Sequence, residues 1–182
     1  MIPTSSLLSK PIKLRNACIF YLGHIPTFLD MQLCRATSAP LCNPSYPAIF
    51  ERGIDPDVDN PEHCHAHSLI PDEWPPVQEI WAYQAQVRRR VEGLYAGGGA
   101  EMERGVGRAL WIGFEHEIMH LETLLYMLLQ SEEVVAPPRT VRPDWERMAR
   151  EEGDVVENEW FVVPEREIEV GMEEGEEGHF GW

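Results

Sequence analysis

Two histidines four residues apart, His116 and His120, stand in the otherwise apolar run 114–130, FEHEIMHLETLLYMLLQ. Four residues turn an α-helix about 400° and rise about 6 Å, so the two imidazoles leave nearly the same face, one turn apart. Two imidazoles so placed can share one metal ion. Glu122 follows His120 by two residues, roughly 200° further round the helix, and is expected to support the site from outside rather than to ligate beside the pair. The plain alternative is a pair of core histidines satisfied by carbonyls or carboxylates without a metal. A cation explains more. Leu110, Phe114, Ile118, Leu121, Leu124, Leu125 and Leu128 read as a buried stripe around the pair, and burying imidazoles in such a stripe needs compensation.

HEIMH also matches the H-E-x-x-H pattern of zinc hydrolases, in which Glu117 would act as general base. The pattern is short and recurs by chance. Thr123 breaks the extended form of the motif, and nothing upstream reads as a sheet. A third ligand from an upstream helix fits better, and His24, in YLGHIPTF, is the candidate because it too sits on an apolar helical stretch. Three histidines from two packed helices leave open positions for dioxygen, water or a substrate.

Periodicity gives three helices able to carry these residues: Leu14–Arg35, with a kink or a late start at Pro26; Val77–Tyr95, ended by Gly97-Gly98-Gly99; and Arg104–Ser131. Between the first two, residues 36–76 are dense in Pro, Asp, Asn and His and read as one extended loop, of a length that carries either function or disorder. Its His63, Cys64, His65 and His67 form a second cluster of metal-capable residues, read as adventitious. A Pro- and Glu-rich linker follows over 132–159, and alternation around Ile168 and Val170 predicts a strand within 160–182. A four-helix bundle needs four closing faces, so three helices predict one face left open.

With 182 residues the chain is read as one domain plus appendages, and the 15 Lys+Arg against 31 Asp+Glu give a net charge of −16. That balance argues against nucleic acid or an anionic membrane as partner. No apolar run approaches the roughly 20 residues of a membrane span. Cys18, Cys34, Cys42 and Cys64 form no C-x-x-C pair, and MIPTSSLLSK is unlike a signal peptide, so a reducing cytoplasmic setting is expected. Phosphate-binding glycine loops and nucleophile elbows are absent from the sequence.

LGHIPTF, then IFERGIDPDVDNPEHCHAHSLIPDEWP, then the H-x3-H-x-E motif in FEHEIMHLETLL together resemble the DinB-type iron-binding domain of ergothioneine-pathway sulfoxide synthases, as carried by the fungal bifunctional proteins. The tail FVVPEREIEVGMEEGEEGHFGW is similar to the opening of the partner domain, which has the formylglycine-generating-enzyme fold. The resemblance implies a mainly α, DinB-like bundle over 1–131, incomplete, followed by the linker and the first strands of a truncated second domain. It implies that His24, His116 and His120 hold a non-haem iron(II), and that O2 is used to join a cysteine-type thiol to the imidazole of trimethylhistidine (hercynine) as a sulfoxide. Arg52 lies where relatives place arginines that hold the thiol substrate's carboxylate, a task suited to a guanidinium fork.

The family's further N-terminal helix, methyltransferase half and full C-terminal domain, with its catalytic tyrosine, have no counterpart here. The chain is therefore expected to be a partial form, its missing domains encoded alongside. The sequence leaves open whether the thiol is cysteine or γ-glutamylcysteine. It also leaves two competing readings, a zinc-dependent hydrolase built on HEIMH and a non-catalytic metal-binding remnant.

Overall fold

The computed structural model describes residues 2–51, 54–56, 60, 64–66, 69–97, 102–136, 139–153 and 157–168. A central helix, α1 (Cys18–Thr37), packs against a one-turn helix α2 (Pro47–Phe50) and two long helices, α3 (Val77–Ala96) and α4 (Arg104–Leu128). The core joins Leu7 and the start of α1 to Tyr46 and Phe50, to Ile80, Tyr83 and Val87 of α3, and to Met127 and Leu128 at the end of α4.

α1 starts at Cys18, four residues later than its apolar pattern predicts, and passes through Pro26 without a break. No side chain caps it at Ala17; instead the N–H groups of Cys18 and Ile19 bond the carbonyls of Ser9 and Leu7 at 3.1 and 2.7 Å. The segment before the helix thus serves as its cap, which is why residues 14–17 are not helical themselves. Pro26 deprives the Leu22 carbonyl of its helical partner and costs about 3 kcal/mol in an isolated helix. Burial on several sides offsets this, since Phe20, Tyr21, His24, Pro26, Thr27, Asp30 and Leu33 are all buried. Ser38 ends α1 in the left-handed region at φ 55°.

The loop expected over 36–76 carries structure of its own. It holds α2 and a short antiparallel pair, β1 (Ile54–Pro56) with β2 (Cys64–Ala66), in the register Ile54 to Ala66. Cys64 and His65 lie in β2, whereas His63, His67 and Arg52 fall outside the described residues.

α4 corrects the expected buried stripe. Its inner face is Val106, Ala109, Gly113, His116, Met127 and Leu128, while Phe114, Ile118, Leu121 and Leu125 are 55%, 40%, 50% and 49% exposed. The helix is apolar nearly all round, and α1 can cover only one side of it. α3 lies on the other flank of α1. Between α3 and α4 runs a groove floored by Ile25 and Pro26, in two parts of about 360 and 300 Å³ that share Ile25, Pro26, Gln84 and Glu117 in their linings. Among the described residues, this groove and the outward side of α4 are left uncovered.

Beyond Ser131 every described residue is exposed. The linker contains a two-turn helix α5 (Trp145–Glu151), capped where Asp144 accepts from the Arg147 N–H. No strand forms over 157–168; a strand needs a ladder partner, and none is present among the described residues. The rest of that expectation, 169–182, lies outside them. No helix among the described residues is long and apolar enough to cross a membrane.

Candidate metal centre

His24 comes from the middle of α1, and His116 and His120 from successive turns of α4. Their three Nε2 atoms form a nearly equilateral triangle, 3.1 Å from His24 to His116, 2.9 Å from His24 to His120 and 3.1 Å from His116 to His120. Ligands about 2.1 Å from a common ion and roughly 90° apart lie about 3.0 Å from each other, against about 3.4 Å for tetrahedral angles. The observed triangle matches the first spacing.

Hydrogen bonding fixes which nitrogen of His24 faces inward. Its Nδ1–H donates to the Phe50 carbonyl at 2.6 Å, so Nε2 carries a lone pair into the triangle. A proton on a neighbouring Nε2 could satisfy one edge of the triangle; a cation satisfies all three corners. His120 Nδ1 is buried without a hydrogen-bond partner among the described residues.

Aromatic rings back each imidazole. Phe20 stacks on His24 at 4.9 Å, Phe28 stacks on His116 at 3.8 Å, and Tyr21 lies 5.5 Å from His120. Phe20, His24 and Phe28 are four residues apart on α1, so one stripe supplies a candidate ligand, the ring behind it and the ring behind His116. That spacing is legible in the sequence. The dry setting favours neutral rings: burial pulls His116 down to about 3, helped by the charges of His24 and His120, and pulls His120 down to about 4, helped by His24. His24 is lowered too, by burial, against the opposing pull of the Phe50 carbonyl. Neutral imidazoles are the metal-binding form.

Behind the triangle, a second set of residues holds the segment that carries Phe50. Asp30, fully buried on α1, accepts from the Cys42 backbone N–H (2.8 Å), the Tyr83 hydroxyl (3.1 Å) and Arg90 Nη1 (2.9 Å). Arg90 also donates to Thr37 Oγ1 and the Pro40 carbonyl. The end of α1, the 38–50 segment and α3 are thereby clamped together. An aspartate on an apolar helix face was a readable signal for this; Arg90 was not, because it looks the same as Arg88 and Arg89 beside it.

Among the other candidates, Glu122 is exposed and the structure does not bring it into the histidine cluster. Glu117, the base of the hydrolase reading, lines the groove between α3 and α4.

Residues 2–124 match the family model of the DinB superfamily. The chain belongs to the DinB superfamily. Over its whole length it is 59% identical, across 192 aligned residues, to ergothioneine biosynthesis protein 1 of Neurospora crassa, and it covers 22% of that protein. It is 32% identical over 181 residues to ergothioneine biosynthesis protein 1 of Schizosaccharomyces pombe, with 93% of the chain aligned and 23% of that relative covered. The chain thus spans roughly a fifth to a quarter of the length of these curated relatives. The DinB match takes in His24, His116, His120 and all of α1 and α3.

Proposed function

We propose that this DinB domain is the metal-holding part of an ergothioneine-pathway sulfoxide synthase, with His24, His116 and His120 as ligands of a non-haem iron(II). The observation that carries the reading is the triangle of Nε2 atoms at 2.9–3.1 Å, in a chain whose relatives are named for ergothioneine biosynthesis. When bound, the iron would supply O2 activation for carbon–sulfur bond formation between hercynine and a cysteine-type thiol. The overall reaction balances without an external reductant. The ring C–H and the thiol S–H are replaced by a C–S bond, one oxygen atom ends on sulfur, and the other leaves as water with the two hydrogens.

The chain's own residues do three things for this chemistry. The Phe50 carbonyl holds His24 in the tautomer that aims Nε2 inward. Phe20, Phe28 and Tyr21 fix the ring planes and keep water from the backs of the imidazoles. Burial keeps the ligands unprotonated. Arg52 is proposed to hold the carboxylate of the thiol substrate, through its guanidinium fork. Glu122 is proposed to act from outside the ligand set.

Anaerobic titration of the purified chain with Fe(II) tests the reading. One equivalent is expected to bind, to be lost in His24→Ala, His116→Ala and His120→Ala, and to be retained in Glu117→Gln. Zinc-dependent peptide hydrolysis that disappears in Glu117→Gln would overturn the assignment in favour of the hydrolase. Metal binding without sulfoxide formation, even within a full-length relative that carries these residues, would leave the non-catalytic reading.

A further inference from the structure

Gly23 precedes the ligand His24 and is buried mid-helix, where propensity disfavours glycine. Its reason is steric. A Cβ placed on Gly23 would lie within 2.6 Å of Cε1, Cε2 and Cζ, the far edge of the Phe50 ring. The ring cannot swing aside, because Phe50 is fully buried and hemmed by Tyr46 at 5.1 Å, Trp74 at 5.8 Å and Phe20 at 6.2 Å. One residue of the 38–50 segment therefore makes two contacts with two neighbouring residues of α1: its ring lies on the bare backbone of Gly23, and its carbonyl takes the Nδ1–H of His24.

We propose that Gly23 is a positioning residue for the metal centre: the missing side chain lets Phe50 settle close enough for its carbonyl to lock His24 as the Nδ1–H tautomer, with Nε2 presented to the metal. The proposal rests on the metal-binding reading above for its consequence, though not for its geometry. A side chain at position 23 pushes Phe50 outward as a unit, lengthens the bond to Nδ1 and frees the imidazole to carry its proton on Nε2, where a metal cannot bind. Loss of such an outer hydrogen-bond partner typically weakens metal affinity about 10- to 100-fold.

Three variants test this: Gly23→Ala, Phe50→Leu and the two combined. Leucine lacks the Cε and Cζ atoms that meet position 23, so it makes room for an alanine there while keeping the backbone carbonyl. Two readouts apply: the tautomer of His24 in the metal-free protein, from ¹⁵N-resolved imidazole spectra, and the affinity for Co(II), from its visible absorption. Gly23→Ala is expected to move His24 away from the pure Nδ1–H form and to weaken Co(II) binding about 10- to 100-fold. Phe50→Leu alone is the reference for the double variant, which is expected to match it and to bind Co(II) more tightly than Gly23→Ala. An unchanged tautomer with parental Co(II) affinity in Gly23→Ala overturns the proposal. So does a folded double variant that recovers nothing. If Gly23→Ala does not fold, the comparison of the double variant with Phe50→Leu decides, parity supporting the proposal and a tenfold gap overturning it. A parent chain that binds neither Co(II) nor Fe(II) sinks the metal reading, while the tautomer measurement still decides the role of Gly23.

Discussion

An imidazole held at about 3 or 4 refuses a proton that the same histidine accepts once unfolded, at an ordinary value near 6.5. Between those limits the unfolded chain binds more protons than the folded one, so stability rises with pH. The metal-free protein is therefore expected to be fully stabilised by its neutral histidines above about pH 6.5. It should lose about 1.4 kcal/mol per pH unit for each such histidine as the pH falls from there toward 4. Denaturant unfolding from pH 7.5 to 4.5 measures this; the slope should shrink in His116→Leu, and an unchanged slope would place the proton uptake elsewhere. A second expectation concerns His24. Its replacement by alanine should abolish tight Fe(II) binding although two ligands remain on α4, because a lone i, i+4 pair leaves the ion mostly to water. The pair itself is legible in the sequence since its spacing is local, and His24 stands out because a histidine on an apolar helix face needs a reason. The Phe50 carbonyl was not legible: it is a backbone acceptor, unmarked by residue type, delivered from 26 residues away.

Elements differ in how plainly they announce themselves. α3 is bounded by Pro76 and Gly97, and its predicted and observed limits agree to one residue. The spacing in the sequence gives α4 nearly its true ends, yet it marks a stripe of leucines as core when half of that stripe faces outward, because periodicity shows that a helix is apolar and not how many neighbours it has. α1 starts late because its N-terminal cap is made of carbonyls from an irregular segment, which no cap residue marks. α2 is only four residues long, too short to leave a period. The clamp between these elements gives a sharp test. Arg90 is 15% exposed at its side chain and Asp30 is fully buried; removing one partner of such a pair strands the other charge and costs about 3–5 kcal/mol. Arg90→Ala should lower stability by that order in urea unfolding, and should weaken metal binding as well, since Cys42 and the segment leading to Phe50 hang from the same carboxylate. Arg88→Ala, on an exposed neighbour, should change stability by less than about 0.5 kcal/mol. Equal effects from the two arginines would refute the clamp.

At the scale of the molecule, and among the described residues, α1 is wrapped and α3 and α4 are each covered on one side only. Trp81, Leu121 and Leu125 edge the groove and are 47%, 50% and 49% exposed, and apolar surface of this kind drives association. The isolated chain is expected to self-associate at micromolar concentration. In sedimentation, Trp81→Gln with Leu125→Gln should bring the mass toward the 20.9 kDa of one chain. A parent chain that already sediments as a monomer would show the groove to be tolerated. The separation of the ligands has a different consequence, one of order in time. His24 and His120 lie 96 positions apart, and bringing the ends of so long a loop together costs about 4 kcal/mol in chain entropy. Until α1 docks on α4, the chain therefore offers an ion either His24 alone or the pair on α4, and would grip it weakly. On the proposed metal reading, tight binding would begin when α1 docks, so the affinity for the ion would gauge whether the first and last thirds of the helical domain have met.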